Sequence, residues 1–145
     1  MALTAGTPAP GFSTQDTHGN TVALSDFAGK AVVLYFYPKD DTPGCTKEAC
    51  SFRDAYADYQ GKNVVVLGVS MDDQASHQLF TQKYNLPFPL LADVDGSITK
   101  AYDVDGGGYP KRVTYVIDGS GTISRVYSSV NTATHASDIL KDLGL

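Results

Sequence analysis

The run Ala31–Tyr37 (AVVLYFY) is apolar at nearly every position and rich in β-branched and aromatic residues. Such a run predicts a strand buried on both faces, as in a central or parallel sheet. Pro38 ends it, and Val64–Val69 (VVVLGV) reads the same way. Between them, Thr42-Pro43-Gly44 opens a helix expected to reach about Tyr59, with Gly61 as its stop. Cys45, Ala49, Phe52, Tyr56 and Tyr59 recur at helical spacing and form its apolar stripe. Further helices are expected at about Gln74–Tyr84, Ser97–Tyr102 and Thr134–Leu143, and a short strand at Leu90-Leu91. Val113–Ile117 and Ile123–Val130 flank Asp118-Gly119-Ser120-Gly121, the turn chemistry of an antiparallel hairpin. Upstream, coil through Pro8 and Pro10 leads into a hairpin around His18-Gly19-Asn20, with Thr21–Leu24 as its second arm. An early parallel βαβ followed by a late antiparallel hairpin predicts an α/β domain, a central mixed sheet flanked by helices in the thioredoxin-like manner.

A chain of 145 residues suits one such domain, residues 1–145, with one substantial core. Its 42% apolar and 19% charged residues fit a folded globular chain. The net charge of −5, with no long Lys/Arg cluster, offers phosphate backbones and anionic lipids little to hold. No nucleic acid or membrane partner is therefore expected. Neither a basic n-region nor an apolar h-region opens the chain, and no apolar run has the length of a membrane span. Two cysteines are too few for a secreted disulfide scaffold, so a reducing, cytoplasmic setting is expected. The repeated Asp-Val-Asp-Gly at 93–96 and 103–106 lacks the ligands of a calcium loop and reads as two turns.

The informative stretch is Pro38-Lys39-Asp40-Asp41-Thr42-Pro43-Gly44-Cys45-Thr46-Lys47-Glu48-Ala49-Cys50. It follows the C-terminal end of a core strand, the edge where reactive groups gather in open α/β sheets. Thr42 is placed as N-cap and Pro43 at the first helical position. Cys45 then falls in the first turn, where free N–H groups and the helix dipole favour a thiolate, the nucleophilic form. Its place on the apolar stripe equally suits a small buried hydrophobe. Cys50, five residues on, lies in the polar sector beside Thr46, Arg53 and Asp54. In an intact helix the two Cα atoms stand about 8.7 Å apart. A disulfide needs them within about 7 Å, so the pair cannot bridge while the helix stands. The C-x₄-C spacing and three scattered histidines do not make a zinc site, and the C-x-x-C of a dithiol shuttle is absent. Arg112, just before the apolar strand Val113–Ile117, can enter the sheet from the strand start or remain a solvated strand-end charge.

These residues resemble a known family. Pro38-x₃-Thr42-x₂-Cys45 is similar to the peroxiredoxin active-site pattern, and Tyr35–Asp54 (YFYPKDDTPGCTKEACSFRD) resembles the peroxiredoxin Q, or bacterioferritin comigratory protein, branch. The likeness runs from Pro8-Ala9-Pro10-Gly11-Phe12 to the Arg112–Asp118 segment. It implies a thioredoxin-fold peroxidase of antioxidant defence, usually monomeric, that reduces hydrogen peroxide and organic hydroperoxides and is recycled by thioredoxin. It also implies that Cys45 is the peroxidatic cysteine and Cys50 the resolving cysteine. Thr42 would hydrogen-bond thiolate and peroxide, Arg112 would stabilise thiolate and transition state, and Pro38 would shield the pocket. No cofactor and no metal are implied. A general thiol–disulfide oxidoreductase, or a redox sensor without turnover, remains open on the residues alone.

Overall fold

The computed structural model describes residues 2–144; Met1 and Leu145, the ends of the expected 1–145 domain, lie outside the described residues. A small antiparallel hairpin comes first, β1 (Ser13–Gln15) with β2 (Thr21–Ala23), turning at Gly19. The main sheet holds β3 (Ala31–Phe36), β4 (Val64–Ser70), β5 (Leu90–Ala92), β6 (Val113–Ile117) and β7 (Ile123–Tyr127). Its order is β5-β4-β3-β6-β7, with β3 parallel to β4 and antiparallel to β6. The helices are α1 (Pro43–Gly61), α2 (Gln74–Tyr84), α3 (Ser97–Ala101) and α4 (His135–Asp142). Parallel β3-α1-β4 and antiparallel β6–β7 are the mixed arrangement the sequence pattern implies.

The near-continuous apolar run of β3 is explained by burial on both faces. Val33, Tyr35 and Tyr37 point into one core with Cys45, Ala49, Phe52 and Tyr59 of α1, Phe80 of α2 and Ile139 of α4. Val32, Leu34 and Phe36 point into the other, with Ile98 of α3, Tyr102 and Tyr115. The period-2 alternation of a strand thus feeds two separate layers. Among the described residues no helix is long and apolar enough to cross a membrane.

Several boundaries depart from the sequence reading. The helix does not stop at Gly61, which stays helical; Lys62 is the C-cap and Asn63 takes the left-handed conformation at φ 56°. Asparagine tolerates that region better than other non-glycine residues, so it serves where glycine was expected. Leu24 leaves the hairpin arm to start a 3₁₀ turn, Leu24–Phe27. The final strand ends at Tyr127, short of Val130. Asp93 is no plain turn residue: buried, it accepts from the Ile98 and Thr99 N–H groups and the Thr99 hydroxyl, so it anchors the start of α3.

Candidate active site

The segment after β3 is tied down before α1 begins. The Asp40 N–H donates to Asp72 Oδ2 at 2.8 Å. The buried Asp40 carboxylate receives the Tyr37 hydroxyl at 2.6 Å and the Ser76 hydroxyl at 2.9 Å, and lies 2.6 Å from His77 Nδ1. The other ring nitrogen of His77 faces the Leu91 carbonyl at 2.9 Å, an atom that can only accept. Every polar group in this cluster has a partner, which fixes the Pro38–Thr42 loop against α2 and β5. Asp41 adds a surface contact to Lys83 at 2.9 Å. A surface cavity of about 480 Å³ lies beside this loop, lined by Asp40, Asp41, Ser76, Leu79, Phe80 and Lys83, not by Cys45.

Thr42 is the N-cap residue of α1, in extended conformation, and Pro43 follows at the first helical position. The Thr42 side chain does not cap: its hydroxyl donates to the Lys39 carbonyl at 2.9 Å. The expected contact to Cys45 is therefore not made in this arrangement. Cys45 is 1% exposed and Cys50 half-buried, both free thiols on one unbroken helix. Pro38 is half-buried just past the end of β3.

Arg112 reaches Cys45 because β6 runs antiparallel to β3. That pairing sets Val113 opposite Phe36, so the residue before β6 arrives at the C-terminal end of β3, beside the start of α1. Its guanidinium forks: Nη2 donates to Cys45 Sγ at 3.3 Å and Nη1 to Glu48 Oε1 at 2.7 Å. Burial works against this charge, but Glu48 and Cys45 more than offset it and hold its pKa above the ordinary arginine value. Gly44 makes the approach possible, since a Cβ there would lie 3.1 Å from Arg112 Nη2.

Glu48 is fully buried, and its Oε2 has no hydrogen-bond partner. Burial raises its pKa from 4.5 to about 7, against the opposing pull of Arg112. His135, at the start of α4, sits 3.9 Å from Oε2 and 2.8 Å from the Thr114 hydroxyl. Burial lowers the His135 pKa to about 4, so the ring is neutral near pH 7. The sequence reading passed over Glu48, His135 and the Asp40–His77 pair. A signal existed for Glu48: it stands three residues after Cys45, on the stripe of Cys45, Ala49 and Phe52, where a charge is out of place.

Chemically, the arrangement offers a shielded thiol at a helix start, one cation in direct contact with it, and a buried acid sharing that cation. Residues 5–126 match the AhpC/TSA family. A putative peroxiredoxin bcp of Coxiella burnetii is 45% identical, over 97% of this chain and 98% of that protein. A chloroplastic peroxiredoxin Q of Triticum aestivum is 48% identical over 86% of this chain, which spans only 58% of the wheat protein. Among solved structures, Xylella fastidiosa PrxQ superposes with a TM-score of 0.92 at 30% identity, covering 99% of this chain and 97% of that one. The bacterioferritin comigratory protein of Xanthomonas campestris, studied for alkyl peroxide reduction, gives 0.86 at 31% identity, covering 92% and 90%. These likenesses make the fold thioredoxin-like.

Proposed function

The chain belongs to the AhpC/TSA family, in its peroxiredoxin Q and bacterioferritin comigratory protein branch, and is by class a thiol peroxidase; we propose that it reduces hydrogen peroxide and organic hydroperoxides through Cys45, with Cys50 as resolving thiol and thioredoxin as reductant. The observation that carries this reading is the Arg112 fork, which sets a fixed cation 3.3 Å from the Cys45 sulfur.

The Cys45 thiolate attacks the terminal peroxide oxygen, and the O–O bond breaks as the S–O bond forms. Negative charge moves from sulfur to the leaving alkoxide or hydroxide. Arg112, fixed before the reaction starts, can follow that charge without reorganising, as can the free N–H groups of the first helical turn. The Thr42 hydroxyl joins them once it releases the Lys39 carbonyl. Pro38 closes the loop side against bulk water. The product is a sulfenic acid at Cys45. Cys50, the only other cysteine, then attacks that sulfur and expels water, leaving a disulfide. A dithiol protein takes the disulfide apart by exchange and restores both thiols.

The test is peroxide consumption coupled to thioredoxin. Cys45→Ser should abolish it. Cys50→Ser should still consume about one equivalent of peroxide and stop at sulfenic acid. Equal loss of the first oxidation step in both variants would overturn the assignment, and reduction of insulin without peroxide turnover would favour a general oxidoreductase.

A further inference from the structure

Arg112 is shared between two groups that can both be anionic, Cys45 at 3.3 Å and Glu48 at 2.7 Å. Each element packed around Glu48 brings its own group. On the approach to β6 it meets Arg112, at the start of α4 His135, and on β3 Tyr35; Arg112 in turn touches Cys45, and His135 the Thr114 hydroxyl. Burial, then Glu48 itself, raises the Tyr35 pKa, so that hydroxyl stays neutral. His135 is neutral near pH 7 as well. Among the described residues, Arg112 is therefore the one cation paired with Glu48. One positive charge cannot compensate two buried negative ones, and the unpartnered Oε2 marks where the surplus would fall.

We propose that Glu48 is the proton reserve of the reaction centre, holding a proton on Oε2 while Cys45 is a thiolate and releasing it as Cys45 is oxidised, so that Arg112 always faces a single negative charge. The proposal rests on the peroxidase reading and adds the fate of a proton to it. The step balances. The Cys45 thiolate, a hydroperoxide and the protonated Glu48 give the Cys45 sulfenic acid, an alcohol or water, and the Glu48 carboxylate. Sulfur loses two electrons and the peroxide bond gains them. The hydroxyl hydrogen of the attacked oxygen stays in the sulfenic acid. The proton from Glu48 closes the valence of the leaving alkoxide, with solvent at the exposed edge of Arg112 as carrier. Net charge is −1 before and after. Glu48 acts through Arg112 and touches neither sulfur nor peroxide, so it is a positioning residue whose protonation is linked to the redox state of Cys45. Burial against the pull of Arg112 brings its pKa to about 7, and a thiolate beside the same cation raises it further. The proton is thus held while Cys45 is anionic and freed at neutral pH once the sulfur is neutral.

The experiment is a single turnover in the Cys50→Ser background, which halts at sulfenic acid. Thiolate loss is followed by ultraviolet absorbance, and proton uptake by an indicator dye in weakly buffered solution between pH 7 and 8, at or above the value of about 7 that burial gives Glu48 against the pull of Arg112. With Glu48 present, uptake per thiolate oxidised should be close to zero; with Glu48→Gln it should be about one. Equal uptake in the two proteins overturns the proposal while leaving the peroxidase reading intact. A thiolate that does not react with peroxide overturns that reading, and the proposal with it. Should Glu48→Gln fail to fold, infrared difference spectra of the protein carrying Glu48 decide the matter. Oxidation should remove the carbonyl band of a protonated carboxyl and add carboxylate bands. A spectrum without that exchange overturns the proposal.

Discussion

Arg112 and Cys45 are 67 positions apart in the chain and 3.3 Å apart in space. The contact depends on the register of β3 with β6, which pairs Phe36 with Val113 and delivers the arginine to the helix start. It depends also on the second arm of the fork, the 2.7 Å bond to Glu48, which keeps the guanidinium from swinging out to solvent. In the proposed reaction a cation held this way is a donor preorganised for the charge that develops at sulfur and oxygen.

Removing it should be costly to rate. Arg112→Met should slow the reaction of Cys45 with peroxide by about 10²-fold, the usual effect of losing one preorganised donor. Stopped-flow kinetics of thiolate loss measure this directly. The same variant strands Glu48 without its cation, so it should also melt earlier at pH 8 than at pH 5.

Gly44 separates geometry from stability. A Cβ at Gly44 would sit 3.1 Å from Arg112 Nη2, so Gly44→Ala should push the guanidinium off Cys45 by a few tenths of an ångström. Alanine is the better helix former by about 1 kcal/mol, so the melting temperature should hold or rise. A slower peroxide step in a protein at least as stable is the expected pair of results. A variant unaltered in both would mean that the fork tolerates displacement.

Oxidation should open the helix. Cys45 and Cys50 stand about 8.7 Å apart at Cα in the intact α1, beyond disulfide reach. The disulfide form must therefore unwind around them, exposing part of the buried Ala49–Phe52 stripe. Less helix by circular dichroism, a lower melting temperature and faster amide exchange across residues 44–54 should accompany it. An oxidised structure with this bond inside an unbroken helix would sink the proposed cycle.

The pH dependence of stability should contain two opposing slopes. The Glu48 pKa is raised on folding from 4.5 to about 7, so the folded state binds more protons in that window and Glu48 makes stability fall as pH rises through it. The His135 pKa is lowered from 6.5 to about 4, so the unfolded state binds more protons there and His135 makes stability rise with pH. Between pH 4.5 and 6.5 the two cancel in part. Glu48→Gln should reveal the rising limb alone, and His135→Gln the falling one. Thermal melts at half-unit pH intervals would read both.

Asp40 accepts the Tyr37 and Ser76 hydroxyls and lies 2.6 Å from His77, all on one buried carboxylate. Asp40→Ala leaves those groups without their partner. Each buried group left without its hydrogen-bond partner costs about 1–3 kcal/mol, which together is on the order of 10 °C in Tm for a chain of this size. Because the loop before Cys45 hangs on this carboxylate, faster amide exchange should be confined first to residues 38–42 and 73–77.

Much of this protein was legible in its residues taken in order. The apolar runs at 31–37 and 64–69 read as strands buried on both faces, and Thr42-Pro43 as the opening of a helix with Cys45 in its first turn. These features are local: strand alternation, helical spacing and capping chemistry act over a few positions, where sequence and geometry are nearly the same thing. Arg112 was visible only as an arginine beside a strand, Glu48 only as a charge on an apolar stripe, and His135 hardly at all. Their meaning comes from contacts across the fold, the longest of which depends on the register of β6 against β3; sliding β6 by one residue would turn Arg112 away from Cys45. The packing of α4 on α1 likewise decides that His135 approaches Glu48 with a neutral ring. A buried charge is set by its whole surroundings, and those surroundings exist only once distant segments have closed around it.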